Sequence, residues 1–152
     1  MEINIKIEDN EKDLSSMIIG KLMSVGGILQ REGNRLLSPY RLNQQQFSIL
    51  FEIAKAKEVR QKNIINRLLL EKAHVSKVVK KLEIMGLIKI VPLPEDKRSE
   101  LLSLTEKGEQ IINESRNIFN EWKKEKLKQF TKEELSQILE SIDKLQKAFM
   151  NN

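Results

Sequence analysis

The chain has 152 residues, 39% hydrophobic, 32% charged and 5% aromatic, with a net charge of +5 and no cysteine. That length suits one domain, and the lack of cysteine excludes disulfides, thiol switches and thiolate metal sites, while one histidine cannot build a dense zinc site, so no cofactor is expected. No apolar run approaches the roughly 18 residues of a membrane span, and the acidic start MEINIKIEDNEKD lacks the apolar core of a secretory signal, so a cytoplasmic protein with no membrane partner is expected.

Residues 11 to 35 read as an amphipathic helix, because Leu14, Ile18, Leu22, Val25 and Leu29 recur at helical spacing. Gly20, Gly26 and Gly27 weaken it, by up to about 1 kcal/mol each relative to alanine. Glycines there either admit another backbone or mark a kink. Pro39 breaks the helix. The run NQQQFSILFEIAKAK follows as a second helix, with Asn43 as N-cap, Gln46 in capping-box spacing, and Phe47, Leu50, Phe51 and Ala54 as its buried face. VRQKNIINRLLL reads as a short third helix with Ile64, Ile65 and Leu68 inward. EKAHVSKVVKKLEIMG is a fourth, with Val75, Val78, Val79 and Leu82 on one stripe and Gly86 as its stop.

Two short apolar runs, GLIKIVPLP and Leu101 to Leu104, flank the charged cluster Glu95, Asp96, Lys97 and Arg98 and predict a hairpin with a charged tip. Thr105 then caps a long helix over about 106 to 129, carrying Ile111, Ile112, Ile118, Phe119 and Trp122. Thr131 with Glu134 is a capping box for a last helix, with Leu135, Ile138, Ile142, Leu145 and Phe149 at helical spacing. Two helices, a turn and a hairpin are the order of a winged helix-turn-helix. The helices at both ends carry apolar faces too wide for a small winged domain to cover, so self-association is expected.

The positive charge is segregated. Lys55 to Arg98 holds 12 lysines and arginines against 5 acidic residues, a net of +7, and the remainder carries −2. A nucleic-acid-binding segment in a neutral scaffold has that distribution. On the fourth helix, the face opposite the stripe shows Lys72, Ala73, Ser76, Lys77, Lys80 and Lys81, with His74 beside them. Small, hydroxyl and long basic side chains suit the major groove; a merely solvated lysine face is the plain alternative. His74 reads as a metal ligand without nearby partners, as a base or phosphate contact, or as a half-exposed bystander. Asp96 and Arg98 are two apart and face the same side of an extended chain, so the carboxylate can orient the guanidinium toward a narrow minor groove. An ordinary charged turn is the alternative there. Lys97 and, at the start of the third helix, Arg60, Gln61 and Lys62 complete the expected DNA contacts.

These motifs resemble the MarR (multiple antibiotic resistance regulator) family of winged helix-turn-helix transcription factors. The family's D-x-R wing tip and L-T-x-x-G helix start stand here as Asp96-Lys97-Arg98 and Leu104-Thr105-Glu106-Lys107-Gly108. Its L-x-x-x-G-L-I matches Leu82, Gly86, Leu87 and Ile88, and its L-T-x-x-Q-F-x-x-L matches Leu42, Gln46, Phe47 and Leu50. Arg60, Ile65 and Glu71 depart from the small and capping residues usual at those places.

The resemblance implies a mainly α chain, 1–152 as one unit, with a winged helix-turn-helix at 42–105 and dimerisation helices at 11–36 and 106–150. It implies a homodimer bound to double-stranded DNA at an inverted repeat, most often as a repressor. A small-molecule effector, of unknown identity, would bind between the dimerisation and DNA-binding regions. A winged-helix module that binds protein instead of DNA is the rival reading. An enzyme is not expected, because no nucleophile-base pair, glycine-rich phosphate loop or metal cluster is present.

Overall fold

Asp13, Asn43 and Thr131 each start a helix through a side-chain oxygen that accepts a backbone N–H of the first turn. The computed structural model describes residues 13–151, apart from the side chain of Lys97. Residues 11 and 12 of the expected first helix lie outside the described residues. Two compact units divide the chain, with the boundary between Ile112 and Asn113.

In the first unit, α1 (Leu14–Leu37) ends in a 3-10 turn, Ser38–Tyr40, with the expected proline in its first turn. α2 (Gln44–Ala56) carries both arms of the capping box between Asn43 and Gln46. Its buried face is Gln46, Phe47, Ile49, Leu50, Glu52 and Ile53, while Phe51 and Ala54 are half-buried. The expected face is therefore rotated toward Ile49 and Ile53. Asn34 accepts the Gln44 backbone N–H at 2.7 Å and ties α1 to the start of α2.

The third helix starts later than its sequence suggested. Glu58–Arg60 is a strand, β1, and only Gln61–Leu68 forms α3. Val59 is buried and pairs with Leu102, so an interaction with a distant strand outweighs the local helical pattern. Ile64 is buried in α3, whereas Ile65 and Leu68 are half-buried. α4 (Lys72–Ile84) buries Val75, Val78, Val79 and Leu82, the four residues of the predicted stripe. β2 (Ile88–Leu93) and β3 (Asp96–Leu104) form the hairpin, and the antiparallel sheet has the order β1-β3-β2. Leu50, Ile53, Val75, Leu82, Leu87 and Leu102 are fully buried, placing the core among α2, α4 and the sheet.

The base of the hairpin is locked to the end of α4. Gly86, at φ +72, closes the helix, and Leu87 N–H returns to the Leu82 carbonyl at 3.0 Å in a Schellman arrangement. Helix α5 (Glu106–Leu127) begins against this turn. The Thr105 hydroxyl donates to the Gly86 carbonyl at 2.6 Å and accepts Gly108 N–H at 3.1 Å. The Thr105 N–H meets the Leu87 carbonyl at 3.0 Å, and Lys107 Nζ reaches the Met85 carbonyl at 3.0 Å. Gly108 is required here, because a Cβ would run into the Leu87 carbonyl.

The second unit holds the remainder of α5 and α6 (Lys132–Met150), which starts at the predicted Thr131–Glu134 capping box. No residue of α6 is buried. Ile138, Leu139, Ile142, Phe149 and Met150 are all exposed.

Candidate nucleic-acid interface

Basic residues of the central segment come from four elements that converge. Arg60 at the end of β1, Gln61 and Lys62 at the start of α3, Lys72 and Ser76 on the first half of α4, and Arg98, Ser99 and Glu100 on β3 line one cleft of about 500 Å³. The cations in it are exposed. Gln61 Nε2 donates a short hydrogen bond to Ser76 Oγ, linking α3 to α4. Ala73, Lys77, Lys80 and Lys81 lie outside the cleft but are exposed on α4, the side its buried stripe leaves free. His74 is half-buried, and its Nε2 is buried without a hydrogen-bond partner. The helix starts at Arg60 and Glu71 have no side-chain cap, so those residues leave their helix N–H groups unsatisfied by side chains.

The hairpin tip differs from a simple extended strand. Pro92 pairs with Glu100, but Leu93 pairs with Asp96, so residues 97 to 99 bulge out of the ladder. Arg98 stands at the centre of that bulge. Asp96 Oδ1 accepts the Arg98 backbone N–H at 3.0 Å, and Oδ2 accepts the Ser99 hydroxyl at 2.8 Å. Among the described residues, no ion pair joins the Asp96 carboxylate to the Arg98 guanidinium. The expected contact between the two side chains is not made: the carboxylate bonds the backbone and Ser99 of the bulge, and Arg98 is exposed. The Ser99 hydroxyl, then the Arg98 N–H, and also the charge of Arg60 hold the Asp96 carboxyl below its ordinary value. The wing tip thus stays ionised and braced in ordinary buffers.

An ionic contact joins α2 to α3. Glu52 of α2 is buried and bonds Lys55 at 2.9 Å and Arg67 of α3 at 3.3 Å. The Lys55 ammonium, more than Arg67, holds the Glu52 carboxyl below its usual 4.5 against the opposing effect of burial.

Residues 42–99 of this chain match the model of the MarR family. That span, from just before α2 to the wing, is similar to the MarR family. Two curated transcriptional regulators are similar in sequence. The HTH-type transcriptional regulator BilQ of Clostridioides difficile is 27% identical over 108 residues, covering 71% of this chain and 73% of BilQ. The regulator PecS of Dickeya dadantii is 24% identical over 139 residues, covering 90% of this chain and 84% of PecS. Among solved structures, a cysteine-to-serine mutant of MarR from E. coli, complexed with operator DNA, superposes with a TM-score of 0.78 at 22% identity, covering 90% of this chain and 99% of that one. BldR from Sulfolobus solfataricus gives 0.80 at 21% identity, covering 91% and 99%. These two share the fold.

The motifs that carry the resemblance have structural duties in this chain. The Leu104, Thr105 and Gly108 signature locks α5 to the end of α4, and Leu82, Gly86 and Leu87 turn the chain from α4 into the wing. Ile65, expected to face inward, lines the cleft, as do Ser99 and Glu100, which the sequence did not mark as contacts. The period-2 spacing of Arg98 and Glu100 was the available signal, and the bulge before Glu100 masks it. Among the described residues no group of three His, Asp or Glu could hold a metal ion, and no helix is long and apolar enough to cross a membrane.

Proposed function

We propose that this chain is a sequence-specific, DNA-binding transcriptional regulator, a homodimeric repressor on an inverted-repeat operator, and not an enzyme. The observation that carries the reading is the cleft, where Arg60, Lys62, Lys72 and Arg98 from four elements share one surface beside the exposed lysines of α4. A helix bearing Ala73, Ser76 and Lys77 enters the major groove, Lys80 and Lys81 meet phosphates, and Arg98 on its bulge reaches the adjacent minor groove. The half-buried His74, with its Nε2 turned inward, has the weakest case as a base contact.

Dimerisation through 11–36 and 106–150 is supported by apolar faces that each helix leaves open. Leu14, Met23 and Leu29 of α1 are 72%, 75% and 50% exposed, and Phe149 of α6 is 60% exposed. Surfaces of this kind mark protein interfaces. A small effector of unidentified chemistry has a place to bind in a cavity of about 360 Å³ between α1 and α2, lined by Leu29, Gln30, Gln44, Ser48, Leu68 and Leu70. A cytoplasmic location follows from this role.

The test is fluorescence anisotropy with a duplex from the protein's own promoter region and a scrambled duplex, from 50 to 200 mM salt, beside a light-scattering mass. The expected result is the mass of two chains and preferential binding. Affinity should fall by about 10³ or more over that range if six or more phosphates are contacted. Salt-insensitive binding, or no binding to any duplex, would favour the protein-interaction module instead.

A further inference from the structure

We infer that Gln61 and Ser76 form one composite base-reading unit that selects adenine, with Ser76 acting as the holder that orients the Gln61 amide. The inference rests on the DNA-binding reading and names the base chemistry of that same site.

The two residues are fifteen apart in sequence and on different helices, yet Gln61 Nε2 donates directly to Ser76 Oγ. Both line the cleft between the helices and the wing, Gln61 half-buried and Ser76 exposed. A glutamine amide has two N–H donors and a carbonyl acceptor. One N–H is used on Ser76. The other N–H and the carbonyl Oε1 remain, side by side, for a ligand. That pair of groups complements adenine in the major groove, whose N7 accepts and whose N6 amino group donates. Guanine presents two acceptors along that edge, so Oε1 would face O6 without a proton between them. Because Ser76 accepts from Gln61, its own O–H is free to donate to an acceptor on a neighbouring base.

The surroundings favour this role over a purely structural one. A hydrogen bond between exposed or half-exposed side chains contributes little to folding, because water competes for both groups. What it does supply is order. A free glutamine side chain loses rotamer freedom when it binds, and one already held by Ser76 has lost part of it beforehand. Arg60 and Lys62, which flank Gln61 in sequence and line the same cleft, supply the charge that brings a phosphate backbone close.

The experiment is selection of bound sequences from a pool of random DNA duplexes, using the full-length chain and its Gln61→Ala, Gln61→Glu and Ser76→Ala variants. Thermal melts by circular dichroism accompany it, and are expected to stay near the parent. The parent should enrich an adenine at one position of each half-site, by roughly 5- to 150-fold over guanine. Gln61→Ala should abolish that preference. Gln61→Glu, which presents only acceptors, should turn it toward cytosine, whose N4 donates. Ser76→Ala should weaken the same position by about 2- to 10-fold, and the double variant should lose little more than Gln61→Ala alone. Preferences lost at separate positions, with additive effects, overturn the composite unit, as does an unchanged adenine preference in Gln61→Ala. If the parent itself enriches no duplex sequence, the DNA-binding reading fails and this inference fails with it.

Discussion

Gly108→Ala sets two physical effects against each other, and the structure decides their sign. At an unobstructed helical position alanine is favoured over glycine by up to about 1 kcal/mol. Here the added Cβ would strike the Leu87 carbonyl oxygen, with the Leu87 carbonyl carbon 3.1 Å and Leu104 Cδ2 3.4 Å away. The first two are backbone atoms of the turn that ends α4, so α5 itself has to withdraw, by about 1 Å to regain ordinary contact. That movement breaks the 3.0 Å bond from Thr105 N–H to the Leu87 carbonyl and stretches the 2.6 Å bond from the Thr105 hydroxyl to Gly86. Overpacking costs about 1–3 kcal/mol, and a lost hydrogen bond adds about 1. After the helix-propensity gain is subtracted, the variant should lose roughly 1–3 kcal/mol. Urea unfolding followed by far-ultraviolet circular dichroism, at matched protein concentration, measures it. A midpoint at or above that of the parent would refute the reasoning, because it would mean the close approach at the wing base does not exist.

Substitutions at three further positions probe separate features. Glu52→Gln removes the charge that Lys55 and Arg67 share, and should cost about 1 kcal/mol at neutral pH, since both cations are roughly half exposed and screened. The folded Glu52 pKa is depressed, so its contribution is present above the ordinary 4.5 and is lost as pH falls through the lower folded value. Stability curves of parent and variant should converge in acid, and a gap that persists there counts against the ion pair as its source. Leu69→Gly relieves a left-handed residue, φ +52, whose side chain is 66% exposed. The relief of about 1–2 kcal/mol exceeds the entropy cost of glycine, so the melting temperature should rise, and a fall would contradict the strain account. Asp96→Ala removes both acceptors that brace the wing bulge and should weaken DNA binding about 2- to 10-fold despite the favourable change in charge. Asp96→Asn keeps an acceptor for the Arg98 N–H and should stay closer to the parent. Tighter binding by the alanine variant would show that Asp96 acts only as a repelling charge.

Helix caps and stripes were legible because every partner lies within a few residues. Asn43 with Gln46, Thr131 with Glu134, and Val75 through Leu82 report on their own helices, and each stands where its spacing placed it. The winged order and the concentration of charge between Lys55 and Arg98 were legible for the same reason. β1 was not. Its three residues carry one buried apolar side chain, and they become a strand only because β3, some forty residues on, supplies the hydrogen bonds. The same locality explains the wing. Alternation placed Asp96 and Arg98 on one face, but alternation assumes an unbroken ladder, and the bulge at residues 97 to 99 breaks it.

The sequence by itself therefore determined the helices, their caps, the buried stripe of α4 and the sign of the surface, since these follow from the backbone period and from charge. The tertiary structure alone decided which polar groups meet. Gln61 reaches Ser76, Glu52 reaches Arg67, and Gly108 lies against Leu87 across fifteen, fifteen and twenty-one positions of chain. A hydrogen bond or a steric contact depends on distances of a few ångströms between residues remote in sequence. Only the packing of α2, α3, α4 and the sheet around one core sets those distances.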